Sequence, residues 1–206
     1  MLFLDTGIMD DEFEAKFFPI NKEKFRRKLK SLGAKLIFRE RKMRTVLGDK
    51  RRNPQLECDY IRIRDEGNLI RLSLKIHAKK EGSLSDQKET YIEVSDFNKA
   101  VEILKKLGLK LTYYQEKLRE TWKFDGAEVV IDTWPGLDPI VEIEAGSEIE
   151  VKKTAEKIGL DWNKKIITEA ADIFAKVYGL PVNESLEKIS NITFDNNPFK
   201  KMGDKS

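Results

Sequence analysis

Across 206 residues the chain sets 39 Lys or Arg against 36 Asp or Glu, so 36% of it is charged, against ~25% in an ordinary globular protein, yet the net charge is only +3. With 40% hydrophobic residues and charges that cancel, it falls outside the disordered class, and no stretch approaches the ~20 apolar residues of a membrane-spanning helix. A single cysteine, Cys58, rules out an internal disulfide, and a single histidine, His77, argues against a histidine metal site or a Ser-His-Asp triad, leaving carboxylates, Lys and Arg to carry any catalysis.

Residues 1–9 are apolar but are broken by Asp5 and lack a basic leader, so no signal peptide is expected and the chain reads as cytoplasmic. A first strand is expected at 10–18, where Glu12, Glu14 and Lys16 alternate with Phe13, Ala15 and Phe17 before Pro19 ends it. Asn21 then caps a helix over 22–32, with Phe25, Leu29 and Leu32 on one face and Gly33 as its stop. A long strand is expected at 35–47, followed by an exposed loop at 48–57 that holds the basic run Lys50-Arg51-Arg52. Strands at 60–65 and 69–76 meet at Glu66-Gly67-Asn68, a hairpin signal, and a strand at 88–94 follows a polar loop at 78–86. Ser95 or Asp96 caps a helix carrying Phe97, Val101, Leu104 and Leu107, closed by Gly108. Three strands come next, at 110–124, 128–134 and 140–145, turned at Asp125-Gly126 and Pro135-Gly136. Amphipathic helices are expected at 148–158 and 165–178. The pattern predicts one domain over 1–180 and a polar, flexible tail over 181–206, with a helical turn or two at 183–189 and isolated Phe194 and Phe199. The expected fold is α+β, an eight-stranded antiparallel sheet or barrel with helices packed outside.

Residues two apart in a strand share a face. On one face the rule collects Glu12, Glu14 and Lys16; Arg62 and Arg64; Arg71, Ser73 and Lys75; Glu89, Tyr91 and Glu93; Lys117, Arg119 and Thr121; Glu128, Val130 and Asp132; and Glu142 and Glu144. The opposite face is apolar. A sheet with one wet side gives the same alternation. Two features favour an enclosed charged face instead: the helices carry apolar stripes able to cover the outside, and the signs segregate, with carboxylates on the first and last strands and mostly bases between them. Clustered Arg and Lys suit phosphate oxygens, whereas clustered carboxylates need a hard divalent cation between them. Together they imply a metal-bound polyphosphate.

Glu12-Phe13-Glu14-Ala15-Lys16 resembles the Glu-x-Glu-x-Lys signature of the CYTH family, the triphosphate tunnel metalloenzymes. Arg62-x-Arg64, the strand from Arg71 to Lys75, the acidic strand from Glu89 to Glu93, Lys117-x-Arg119, Asp132 and Glu142-x-Glu144 follow in the family's order. The resemblance spans residues 10–145 and implies an eight-stranded β-barrel tunnel. It implies that Glu12, Glu14, Asp132, Glu142 and Glu144 hold one or two ions of Mg²⁺ or Mn²⁺. Lys16, Arg62, Arg64, Lys75, Lys117 and Arg119 would grip the triphosphate, with Arg71 a further binding residue and Glu89 and Glu93 peripheral acids. Glu12, Glu14, Lys16, Lys75 and Arg119 are the expected catalytic set. The longer basic loop at 48–57 and Tyr91, where relatives carry acids, depart from the family pattern and bear on substrate choice.

The expected activity is metal-dependent hydrolysis of inorganic triphosphate, thiamine triphosphate or a nucleoside triphosphate. A class IV adenylyl cyclase, forming cyclic AMP and pyrophosphate from ATP, is the alternative. A non-catalytic polyphosphate or nucleic-acid binding module is the third reading, resting on Lys50-Arg51-Arg52 and Lys200-Lys201; a net charge of +3 disfavours nucleic acid. A triphosphate-containing small molecule is thus the expected partner, with no membrane involved and the protein a monomer or homodimer. His77 is expected exposed, Cys58 a small filler, and Trp122, Trp134 and Trp162 core or docking residues, with Trp134 placed to reach a tunnel mouth.

Overall fold

The computed structural model describes residues 10–77 and 87–202. The segment 1–9, the expected loop at 78–86 and residues 203–206 lie outside the described residues, as do the side chains of residues 10–12, 77 and 87, and with them the Glu12 carboxylate and the expected exposure of His77.

Eight strands build the framework: β1 (Asp10–Phe17), β2 (Lys35–Asp49), β3 (Tyr60–Asp65), β4 (Ile70–His77), β5 (Gln87–Glu93), β6 (Tyr113–Phe124), β7 (Ala127–Thr133) and β8 (Ile140–Ala145). They lie in the order β2-β3-β4-β5-β1-β8-β7-β6, every neighbour antiparallel, and β6 pairs back onto β2 to close the barrel. Closure leaves no sheet edge among the eight. The turns do what their residues allow. Asp125 and Gly126, at φ 51° and 85°, form the two positive-φ positions that a tight hairpin between β6 and β7 requires. Gly67, at φ 83°, turns β3 into β4 while its N–H donates to the Asp65 carboxylate at 2.9 Å.

The apolar face of the barrel points outward, under helices α1 (Lys22–Ser31), α2 (Phe97–Lys106) and α3 (Glu148–Ile158). Phe17, Val129, Ile131 and Ile143 pack with Phe25 and Leu29 of α1 and with Val151, Ala155 and Ile158 of α3. Phe97, Ala100 and Leu104 of α2 cover Val46, Ile61 and Ile63. Each such large side chain contributes about 1.5–3 kcal/mol on burial, so the outside of the barrel is where its stability is gathered and the charged face is left inside. The caps follow the sequence: Asn21 accepts the Lys24 N–H at 2.9 Å, and Asp96 rather than Ser95 accepts the Lys99 N–H at 2.9 Å.

Three elements differ from expectation. The helix expected at 165–178 is α4 (Ala170–Tyr178), preceded by a 3-10 turn at Trp162–Lys164. Between them Ile166 exchanges backbone hydrogen bonds with Lys16, at 2.9 and 2.8 Å, a pairing that suits the β-branched run Ile166-Ile167-Thr168 and holds it out of the helix. The expected exposed loop at 48–57 starts later, because β2 runs to Asp49, and Asn53 is buried with hydrogen bonds to the backbone of Asp49 and Lys110. After Pro181 the chain forms α5 (Val182–Lys188) and β9 (Asn191–Ile192), which runs parallel to β6. Phe199 is 1% exposed and stacks on Phe174 and Tyr178 with ring centroids 4.6 and 4.5 Å apart.

Candidate active site

The inner face encloses a cavity of about 460 Å³, to which every strand from β1 to β8 except β7 contributes lining side chains. Period-two alternation brings Glu14 and Lys16, Arg62 and Arg64, Lys75, Glu89, Lys117 and Arg119, and Glu142 and Glu144 to its wall. Most of the residues singled out from the sequence therefore share one enclosure.

Their charges are arranged as two ion-paired lattices. In the first, Arg119 donates from Nε to Asp132 Oδ1 at 2.7 Å and from Nη2 to Asp132 Oδ2 and Glu142 Oε2, both at 2.6 Å. Lys117 donates to the same Asp132, while Lys16 donates to Glu14 at 2.6 Å and stands 3.9 Å from Glu142. In the second, Arg62 donates to Glu89 at 2.6 Å, and Lys75 lies 3.8 Å from the other Glu89 oxygen. Charge-assisted bonds of this length in a low-dielectric enclosure are among the stronger polar contacts a protein makes.

The titration of these groups follows from the same contacts. Burial alone would raise the Glu142 carboxyl, but Arg119, Lys117, Lys16 and Lys75 hold it far below its ordinary range. Burial would lower Lys16, yet Glu14, Glu142 and Glu169 more than reverse it and push its pKa up. Burial likewise opposes the charge of Arg62 and of Arg119, but Tyr60 and Glu89 raise the first instead, and Asp132 and Glu142 the second. Lys117 goes the other way: burial, helped by the neighbouring Arg119, lowers it despite Asp132 and Glu142. Glu89 is drawn down by Arg62, Ser73 and Lys75 against its burial.

Asp132, expected among the metal ligands, is fully buried behind the wall, clamped between Lys117 and Arg119. Arg71 does not line the cavity; it stands at the rim over the ring of Tyr91, which is 51% exposed, and Glu93 is exposed beside it. Glu12 sits on β1 two residues before Glu14, opposite Gln87. Among the described residues no three carboxylates are gathered at metal-binding distance from a common point. Even so, Glu14 and Glu144 are direct cross-strand partners, and Glu128 is the next partner of Glu144, so three like charges line up across β1, β8 and β7. Like charges side by side repel, which Lys16 offsets at Glu14, and the hard carboxylate oxygens of such a row match Mg²⁺ or Mn²⁺.

The sequence reading missed a second group of lining residues. Tyr60, Tyr113 and Gln115 lie two or four positions before Arg62 and Lys117 and were reachable by the same alternation. Thr45, Leu47 and Asp49 come from β2, whose inner side chains mix polar and apolar types and so show no binary pattern. Arg51 folds back from the loop to Asp49 and Tyr113. The lining also has an apolar and aromatic share, with Leu47, Trp134, Ile140, Leu186 and Ile189 beside Tyr60 and Tyr113. Trp134 lies 5.4 Å below the Lys117 ammonium.

A family model described as the CYTH domain matches residues 10–178. Among solved structures, a conserved hypothetical protein from Pyrococcus furiosus is 24% identical, with a TM-score of 0.64 over 77% of this chain and 97% of its own. An adenylate cyclase candidate from Vibrio parahaemolyticus is 12% identical, with a TM-score of 0.65 over 81% of this chain and 99% of its own. HpAC1 from Hippeastrum, an adenylyl cyclase candidate described as having a dominant triphosphatase activity, is 14% identical, with a TM-score of 0.52 over 82% of this chain and 97% of its own. At these identities the likeness is one of fold. No curated protein matches the sequence.

Proposed function

The chain belongs to the CYTH domain family, and on that premise we propose that it is a divalent-metal-dependent triphosphatase, hydrolysing inorganic triphosphate or an organic triphosphate within its barrel. The observation that carries the reading is the convergence of Lys16, Arg62, Arg64, Lys75, Lys117 and Arg119 on one cavity that Glu14, Glu142 and Glu144 also line, interleaved with the bases. Lys16, Arg62, Lys117 and Arg119 are each hydrogen-bonded to a carboxylate; a triphosphate would offer these cations better acceptors and leave the carboxylates available to a divalent ion.

Glu14, Glu142 and Glu144, with Glu12 from the same strand face, would hold Mg²⁺ or Mn²⁺, which when bound would neutralise phosphate charge and lower the pKa of a water so that it can act as the nucleophile. Arg62, Arg64 and Lys117 orient the phosphate chain, the arginines bidentately. Lys16, Lys75 and Arg119 stabilise the charge that moves onto the departing phosphate. Asp132 acts through its neighbours, fixing the Lys117 ammonium and the plane of Arg119. No histidine is needed.

The apolar and aromatic share of the lining favours a substrate with an organic group, which admits a second reading: an adenylyl cyclase in which the ribose 3′-hydroxyl attacks the α-phosphorus and pyrophosphate leaves. The third reading loses support, because Arg51 is engaged by Asp49 and Tyr113 and Arg52 by Glu187, which ties the basic run to the fold. Incubation with inorganic triphosphate, thiamine triphosphate and ATP, each with Mg²⁺ or Mn²⁺, followed by chromatography of products, separates the readings. Orthophosphate marks the hydrolase and cyclic AMP with pyrophosphate the cyclase; tight triphosphate binding without turnover by any of the three would refute both. Under either enzyme reading Glu14→Ala abolishes turnover while the circular dichroism spectrum is kept.

A further inference from the structure

We propose a second phosphoryl-binding subsite at the rim of the barrel, formed by Arg41, Arg64 and Arg71 around Glu66, which holds one phosphoryl group beyond those in the tunnel. It rests on the reading of the tunnel as a triphosphate site and adds to it a preference for chain length or for the released product.

The residues come from three adjacent strands and the turn between two of them. Arg64 and Arg71 are direct cross-strand partners on β3 and β4, and Arg41 reaches them from β2 by donating its Nε to the Glu66 carbonyl at 2.5 Å. Glu66, which the sequence places in a hairpin turn, is 7% exposed. Its carboxylate stands 3.9 Å from Arg64 Nη1 and 3.7 Å from Arg71 Nε, within ion-pair range of both but too far for a hydrogen bond. Among the described residues the three guanidinium groups thus have Glu66 as their shared close carboxylate.

The consequence is visible in the donors. Arg41 Nη1, Arg64 Nε and Arg71 Nε are buried and have no hydrogen-bond acceptor among the described residues. Guanidinium donors are almost always satisfied when buried, and three exceptions in one patch mark a place short of acceptors. Burial and the repulsion of Arg119 and Arg71 pull the Arg41 pKa down although Glu66 and Glu128 oppose them. Two of the planes are braced on aromatic faces, Arg41 at 4.2 Å from the Phe38 ring centroid and Arg71 at 4.6 Å from that of Tyr91. A tetrahedral phosphoryl group supplies several acceptor oxygens where Glu66 supplies two, and a small outward turn of the arginines meets it. Arg64 also lines the tunnel, so the rim subsite continues the row of tunnel bases rather than standing apart from it.

The group held is either the distal phosphoryl of a chain longer than triphosphate or free orthophosphate. The test compares the full chain with its Arg41→Gln and Arg71→Gln variants, measuring KM for tripolyphosphate and tetrapolyphosphate and calorimetric binding of orthophosphate. A rise of about tenfold in the KM for tetrapolyphosphate, with that for tripolyphosphate within about twofold of the parent, supports the subsite as a reader of chain length. Loss of orthophosphate binding with both KM values kept supports it as a product site. Equal weakening of both substrates, or no change in either KM or in orthophosphate binding, overturns it. If the parent protein turns over neither polyphosphate, the tunnel reading has failed, and the orthophosphate titration alone decides the subsite. Should Arg41→Gln not fold, as judged by circular dichroism, Arg71→Gln carries the comparison.

Discussion

Replacing Arg119 by Ala probes the larger ion lattice at its centre. The guanidinium makes three bonds of 2.6–2.7 Å, two to Asp132 and one to Glu142, inside the wall of the barrel. Without it the fully buried Asp132 keeps, among the described residues, its bond from Lys117, and the ion-pair partner left to Glu142 is Lys16 at 3.9 Å. Removing one member of a buried ion pair costs about 3–5 kcal/mol, because the carboxylates left behind stay desolvated. For a chain of this length each kcal/mol moves the melting temperature by about 2–4 °C, so the expected drop is about 6–20 °C. Arg119→Lys keeps the charge but not the fork that spans Asp132 and Glu142, and it should fall between the two. Thermal unfolding followed by circular dichroism at neutral pH measures all three proteins. Tripolyphosphate with Mg²⁺ should raise the melting temperature of the parent and do little for Arg119→Ala. An Arg119→Ala protein melting within about 2 °C of the parent would refute the lattice as described, since no buried partner would then have been lost.

Three further outcomes follow from the same coordinates. The Glu142 carboxyl is held far below its ordinary value of 4.5 in the folded state, so the unfolded chain binds the extra proton first. Its stabilisation is therefore complete above that value and is lost as pH falls below it; melting curves between pH 3 and 7 should show a shallower acid slope for Glu142→Gln, and identical slopes would contradict this. Trp134 lies in the cavity beneath Lys117, whereas Trp122 is in the outer core and Trp162 sits beside Lys165, so tripolyphosphate should change tryptophan fluorescence in the parent but not in Trp134→Phe. Phe199→Ala empties a site stacked against Phe174 and Tyr178 and should cost about 3–5 kcal/mol in denaturant unfolding; a loss below about 1 kcal/mol would show that the tail does not anchor α4.

The inner faces of β1, β3 and β8 were legible because strict alternation sets Glu14 and Lys16, Arg62 and Arg64, and Glu142 and Glu144 against apolar neighbours. Alternation assigns a face but not a depth. Arg71, Tyr91 and Glu93 share the face of Arg62 and Glu89, yet the register Arg64↔Arg71↔Glu93 and the end of the β1–β5 pairing at Glu89 leave them at the rim. In β2 the inner residues are Arg41, Met43, Thr45, Leu47 and Asp49, a mixture without hydrophobic period, and register shifts near Phe38 blur it further. Glu66 was hidden because a Gly-Asn turn usually exposes its flanks, whereas here Arg41, Arg64 and Arg71 gather around it. The segment after Pro181 is polar on average, and three of its apolar side chains, Ile189, Ile192 and Phe199, are buried in one cluster with Ile140, Phe174 and Tyr178.

A crystal structure with tripolyphosphate and Mn²⁺, with anomalous scattering to locate the metal, tests the central claim most directly. The expected result is manganese against Glu14 and Glu144, and phosphate oxygens on Arg62, Arg64, Lys117 and Arg119 in place of their present carboxylates. Tripolyphosphate bound only outside the barrel, with the Arg119–Asp132–Glu142 and Arg62–Glu89 pairs intact, would contradict it.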